Sequence, residues 1–262
     1  DLQMSSPDSI VSIWNRGSHA DVVGFKPRGI QGRVVNSLGE RIVRGFYPPG
    51  SLLPRESDLM TEYAASRTSI REVIKILSAK GLVETRQKIG TRVLERSSWN
   101  IFDPDILLWH PFDSAEHDIL RDLIEMRQLV EPPAARFAAI RASLDDIEAI
   151  RASCEAMHQS MNDLVAYARA DVRFHIAVFE ASHNAMLSRF GHIVANFLQI
   201  SFRIQQEALD TSENLIEDDC NNHIRIYEAI NRSDPAAAEE LMFKVVLHGK
   251  SSLQKALHNI RR

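Results

Sequence analysis

Little in this sequence invites chemistry that needs reactive or strained groups. Its 262 residues include only two cysteines, Cys154 and Cys220. That is too few for a disulfide framework, and both read as small buried residues kept reduced in the cytoplasm. No run approaches the ~18 apolar residues that a membrane span needs, and the apolar stretch at residues 10–14 is too short for a signal-peptide core. No glycine-rich loop is set to cradle phosphate, no nucleophile motif is present, and no separate carboxylate is spaced as a general base. A metal-assisted hydrolase or lyase is therefore the weaker rival to a non-enzymatic regulator. Long alternating runs of Val, Ile and Thr are also missing, so no extensive sheet is expected. The chain has no internal repeat and no low-complexity tract.

What is present is 44% hydrophobic residues, enough at this length to bury one large core or two smaller ones. The formal charge of -4 hides a division. Residues 30–96 carry 12 Lys and Arg against 7 Asp and Glu, a net of +5, whereas residues 97–262 carry 16 against 25, a net of -9. A basic module joined to an acidic one fits a nucleic-acid reader attached to something that does not touch nucleic acid.

The basic module is organised around residues 53–83. Ahead of it, Val34, Val35, Leu38, Ile42 and Val43 make an amphipathic helix stopped by Gly45 and Pro48. Two short helices follow. In the second, Ser66 sits at the N-cap, and Ile70, Val73, Ile74 and Leu77 form the stripe to be buried. Arg67, Arg71 and Lys75 then line the outer face, with Thr68 and Ser69 in the first turn. Such a turn suits the major groove, where Arg reaches guanine edges and hydroxyls reach bases or phosphates. After Gly81, residues 82–85 and 91–94 read as two short strands joined by residues 86–90, with Gln87 and Lys88 at the tip of this wing. On an isolated helix an Arg/Lys stripe is ordinarily a solvated face. Helix, turn, helix and wing in order make it a DNA-reading head.

At these residues the sequence resembles the GntR family of bacterial regulators. The resemblance is carried by Pro48, Pro49, Gly50, Ser51, Leu52, Leu53, Pro54, Arg55 and Glu56 with Leu59, by residues 66–72 with Leu77, by Gly81, Leu82 and Val83, and by Gly90, Thr91, Arg92 and Val93. It implies a winged helix-turn-helix that binds a pseudo-palindromic operator as a homodimer. Where the fatty-acid branch of the family carries an Arg two residues after the Glu, this chain has Asp58, and Arg55 is the residue placed to take over that contact.

Residues 1–29, broken by Pro7, Gly17, Gly24, Pro27 and Gly29, read as a mobile tail. Residues 97–112 read as a linker whose Trp99 and Trp109 pack against a domain. From 113 to 262 the pattern is helical, with candidate helices at 116–142, 144–162, 164–181, 185–207, 214–231 and 235–257 and a permitted kink at Pro132 and Pro133. The expected fold is mostly α: a winged helix-turn-helix at 30–96 and an all-α bundle behind it.

This second part resembles the FCD effector domain of the FadR-type GntR subfamily. Glu125, Met126, Arg127, Leu129, Val130, Glu131 and Pro132, residues 171–175, and His223 with Ile226, Ala229, Ile230, Asp234 and Pro235 carry the likeness. Trp99, Asn100, Asp103, Asp105, Leu107 and Trp109 look most like the branch that represses galactonate breakdown. The resemblance implies a bundle of six or seven helices around a ligand cavity, and a small carboxylate such as a sugar acid as effector.

Asp171 and His175, four apart, share one helix face, and His223 comes from another helix. A carboxylate–imidazole hydrogen bond in a polar core accounts for that spacing as well as a metal site does. The resemblance implies a divalent cation such as Zn, Ni or Mn on these three, although the further His that many members carry is here Val245. A guanidinium grips a carboxylate with two prongs, so Arg127 is the first effector-binding candidate and Arg203 the second. The plainer reading of Arg127 is an ion pair with Glu131 or Glu125. The acidic run Glu217, Asp218 and Asp219 reads as solvated, and Arg173 as pointing away from the site. The function expected is a ligand-responsive repressor of a sugar-acid or related carboxylate operon. Its alternative is a regulator with a metal-free pocket for an acyl ligand.

Overall fold

A computed structural model describes residues 29–110, 119–207 and 213–260, apart from the side chains at 120, 203–207, 213–215 and 255–260. The expected tail at 1–28 and any helix start before 119 lie outside the described residues.

The head begins with α1 (Ile30–Val43), followed by α2 (Glu56–Glu62), α3 (Arg67–Ala79), β1 (Val83–Arg86) and β2 (Gly90–Val93). Val34, Val35, Leu38, Ile42 and Val43 of α1 meet Ile70, Val73 and Leu77 of α3 in one fully buried cluster, closed below by Leu82, Val83 and Val93. Burial of each such side chain is worth roughly 1.5–3 kcal/mol over exposure. The apolar stripe of α3 is thus committed inward, and its basic stripe must face solvent. Ser66 Oγ accepts from Ser69 N at 3.2 Å and fixes where α3 starts. At α2, Asp58 Oδ2 accepts from Arg55 N at 3.3 Å, so the position where a cation stood in the related branch here caps a helix.

The wing pairs antiparallel, with Val83 opposite Val93 and Arg86 opposite Gly90. Both strands therefore reach one residue nearer the tip than the sequence pattern predicts, leaving residues 87–89 as the loop. Lys88 at φ 65 and Gly90 at φ 116 make so tight a closure possible.

The stretch after the wing is folded into the head. A 3-10 turn (Arg96–Ser98) leads to the short helix α4 (Pro104–Trp109), capped by Asp103 and started by Pro104 at its first position. Trp99, Ile106 and Trp109 join the core built by α1 and α3. A Cβ at Gly39 would stand 2.3 Å from the Trp109 ring, so only glycine lets α1 and α4 approach this closely. Lys80, at the end of α3, is buried and donates from Nζ to Asp103 at 2.8 Å and to Asp105 at 2.7 Å. Burial opposes the Lys80 charge, but the two carboxylates outweigh it and raise its pKa. On the other side of α4, Leu107 enters a cluster with Phe179, Phe197 and Leu198, and the Phe102 ring meets Phe190 edge-on at 6.4 Å.

The bundle comprises α5 (Ile119–Arg141), α6 (Leu144–Gln159), α7 (Leu164–Ala181), α8 (Ala185–Glu207), α9 (Glu213–Asn231) and α10 (Pro235–Ile260). Helix α5 runs through Pro132 and Pro133 without interruption. Buried Ala134, Ala135, Ala138 and Ala139 let it pack closely against its neighbours, α10 foremost. Ser143 caps α6 by accepting from Asp146 N at 3.2 Å, and Asp163 and Asp234 do the same work for α7 and α10. Phe174, Tyr167, Met157, Ile226, Met242 and Val245 supply the apolar bulk around a strip of buried polar side chains. Among the described residues no helix is long and apolar enough to cross a membrane.

Candidate nucleic-acid interface and buried polar site

Arg67, Thr68, Arg71 and Lys75 stand exposed on α3, opposite its buried stripe, with Ser69 half-buried beside them. The Ser69 hydroxyl lies 3.0 Å from that of Ser66 and so shares in the cap. Arg71 lies 3.8 Å from Glu56, and Lys75 is 2.7 Å from Glu72. Exposed pairs of this kind are worth at most about 1 kcal/mol and yield readily to phosphate or base. Gln87 and Lys88 are exposed at the wing tip, and Arg55 is exposed where α2 begins. The apolar packing of α3 and the closure of the wing thus leave these cations exposed.

The second site lies inside the bundle, where α7 carries Asp171 and His175, α9 carries His223, and α5 carries Arg127 and Glu131. All five residues are at most 4% exposed. Arg127 pairs with Glu131 through Nε, and its Nη2 lies 3.4 Å from Glu131 Oε2. The same Oε2 is 2.6 Å from His175 Nδ1. On the far side His223 Nδ1 donates to the Asp219 carbonyl at 2.7 Å, and Tyr167 donates its hydroxyl to Asp219 Oδ2 at 2.7 Å. Both imidazoles thus meet an oxygen at Nδ1, His223 in a hydrogen bond and His175 in an ion-pair contact off hydrogen-bond geometry, and the two Nε2 atoms face each other across 3.4 Å. Phe174 packs edge-on against both rings.

Electrostatics follow from this crowding. Burial opposes the Glu131 charge, yet Arg127 and His175 hold its pKa down to about 2. Burial likewise works against Asp171, and His175 and His223 overcome it and lower its pKa. His223 would lose its proton to burial alone, but Asp219 and Asp171 raise its pKa to about 9. Without a cation, His223 holds a proton shared with Asp171.

Asp171, His175 and His223 form a group that can hold a metal ion. Their facing atoms are 3.1, 3.4 and 3.8 Å apart. A tetrahedral ion with bonds of about 2.1 Å would separate its ligand atoms by about 3.4 Å. Asp171 Oδ2, although buried, has no hydrogen-bond partner among the described residues. Such an atom is costly unless an ion or water serves it. The donor set of one carboxylate and two imidazoles with outer acceptors on both Nδ1 atoms fits a divalent cation. Val245, where a further His was absent from the sequence pattern, belongs to the apolar core instead.

Arg127 is not a free guanidinium. Its Nε and Nη2 face Glu131, its Cζ lies 5.3 Å from the Phe197 ring centre, and Nη1 is 3.9 Å from where a Cβ at Gly249 would stand. The ion pair with Glu131 exists, but inside the bundle and not on a helix surface. The Arg203 side chain lies outside the described residues. Two participants escaped the sequence reading. Glu131 appeared there only as a plain partner for Arg127, and Asp219 as part of a solvated run. Asp219 is instead tied to Tyr167 and His223, because its place on α9 turns it inward while Glu217 and Asp218 remain exposed.

Residues 30–93 match the family described as bacterial regulatory proteins, gntR family, and residues 122–247 match the FCD domain. The galactonate operon transcriptional repressor of Escherichia coli (strain K12) is 33% identical over 223 residues, 85% of this chain and 96% of that protein. The Uxu operon transcriptional regulator of the same strain is 35% identical over 156 residues, 57% of each chain. Among solved structures, that of Lar, which controls expression of the Listeria monocytogenes agr system, superposes with a TM-score of 0.61 at 20% identity. It covers 88% of this chain and 99% of Lar, and shows the same fold.

Proposed function

Since the chain belongs to the GntR family of bacterial regulatory proteins and carries an FCD domain behind its reading head, we propose that it is a homodimeric repressor of a sugar-acid operon, released from a two-fold operator by a hydroxy-carboxylate. It is a DNA-binding transcriptional regulator and not an enzyme.

The observation that carries the effector reading is the buried chain of Arg127, Glu131, His175, Asp171 and His223. A cation held by Asp171, His175 and His223 would supply a Lewis-acidic anchor for an effector oxygen. Arg127, whose Nε and Nη2 face Glu131, has its Nη1 edge left to grip a carboxylate near Gly249. An effector that satisfies both ends must be an anion with hydroxyl oxygens nearby, which describes aldonic and uronic acids. An acyl ligand without polar oxygens would leave the buried polar strip unserved, at a cost of ~1–3 kcal/mol for each unpaired group.

Release requires the effector to favour the arrangement of the two heads that does not fit the operator. A coupling of ~1–3 kcal/mol would weaken operator binding about 5- to 150-fold. The test is a gel shift on DNA flanking the protein's own gene, challenged with galactonate and a panel of other aldonic and uronic acids. Retention of DNA at every acid tried would overturn the reading. R127M/E131Q, which removes the guanidinium without stranding a buried Glu131 charge, should bind DNA as tightly as the wild type yet stay bound when the effector is added.

A further inference from the structure

Glu131 touches both ends of the buried site, Arg127 and His175, and the cation reading above gives it no task. We propose that Glu131 is a positioning residue. It fixes the His175 tautomer that turns the Nε2 lone pair toward Asp171 and His223, and through the same carboxylate it ties that imidazole to Arg127.

The argument runs on hydrogen-bond polarity. A neutral imidazole carries its proton on one nitrogen only. An ionised carboxylate can only accept, and Glu131 Oε2 stands 2.6 Å from His175 Nδ1 in an ion-pair contact off hydrogen-bond geometry. With the proton on Nε2, the Nδ1 lone pair would face a carboxylate oxygen inside a site that excludes water. With the proton on Nδ1, that repulsion becomes an attraction between N–H and carboxylate. Nε2 is then left bare, 3.4 Å from His223 Nε2 and 3.8 Å from Asp171 Oδ1. Asp219 does the corresponding work for His223 through its carbonyl, but that acceptor is part of the helix backbone. Glu131 is a side chain and can respond. Its other partner is Arg127, so an anion arriving at that guanidinium competes with Glu131 and alters the acceptor that His175 sees. The effector end and the cation end are thereby linked without having to touch.

This proposal rests on the cation reading, and the experiment separates the two. Removing Glu131 alone would strand the buried Arg127, so paired variants are used, in which both charges go. R127M/E131L lacks any acceptor for His175 Nδ1, whereas R127M/E131Q retains an amide oxygen there. Zn2+ binding to each full-length protein is measured by competition with a chromophoric chelator, and the His175 tautomer is read in the metal-free proteins from imidazole 15N shifts. R127M/E131L should bind Zn2+ about 10- to 100-fold more weakly than R127M/E131Q and should shift His175 toward the Nε2–H form, with wild type and R127M/E131Q showing Nδ1–H. Equal Zn2+ affinities and one tautomer in all three would overturn the role of Glu131. Absence of Zn2+ binding by the wild type would remove the cation reading, and the 15N comparison would still decide whether Glu131 sets the tautomer.

Discussion

At the scale of single residues, the cations of α3 and those of the wing should behave differently. Arg67 and Arg71 project from a helix whose other face is locked in the core, so their heads have a fixed approach to base edges. Arg67→Ala or Arg71→Ala should cost about 1–3 kcal/mol of discrimination between operator and unrelated DNA, with an unchanged far-UV spectrum and melting temperature. Lys88→Ala should weaken binding to all sequences alike and flatten its salt dependence. A titration series over ionic strength on specific and scrambled duplexes distinguishes these outcomes. These positions were legible because the outer face of a helix is what remains once its apolar stripe is assigned. Glu131 was not. Its spacing from Arg127 is the same whether the pair lies on the surface or in the core, and the half of α5 that follows contains two prolines and four alanines that blur its apolar stripe.

At the scale of elements, the helix starts were the most readable features. Ser66 and Asp234 each precede a periodic run and each accepts a backbone N–H in the structure. The helices behind the linker followed from the same periodicity, to within a few residues at their ends. What could not be read was the partner of α4, because two tryptophans announce burial without saying in which core. The structure divides this helix between two, with Ile106 and Trp109 turned to the head and Leu107 to the bundle. Lys80 is the polar tie in that attachment. Lys80→Met would leave Asp105, 5% exposed, without its counter-ion. Removing one partner of a buried pair costs ~3–5 kcal/mol. A marked fall in the denaturant midpoint is expected, and a loss under 1 kcal/mol would mean that Asp103 and Asp105 are better hydrated than their burial implies.

At the scale of the whole molecule, one short recognition helix in one half-site gives too few contacts for genomic specificity, and a two-fold protein matches a two-fold operator. The acidic bundle offers a face for pairing, since Leu129 and Ile140 on α5 and Phe243 and Leu247 on α10 are exposed on helices that lie side by side. Light scattering at micromolar concentration should give a mass near twice 29.6 kDa. A monomer that binds single half-sites would defeat the two-fold scheme.

The burial of Trp99, Ile106 and Trp109 against α1 and α3 also decides where this protein can be cut. A fragment ending at residue 96, where the wing's second strand has just closed, would open a groove along α1 that three large side chains now fill. It should be prone to aggregate. A fragment carried on to His110 keeps its own lid and should refold alone, so the smallest autonomous operator reader is longer than its sequence signature.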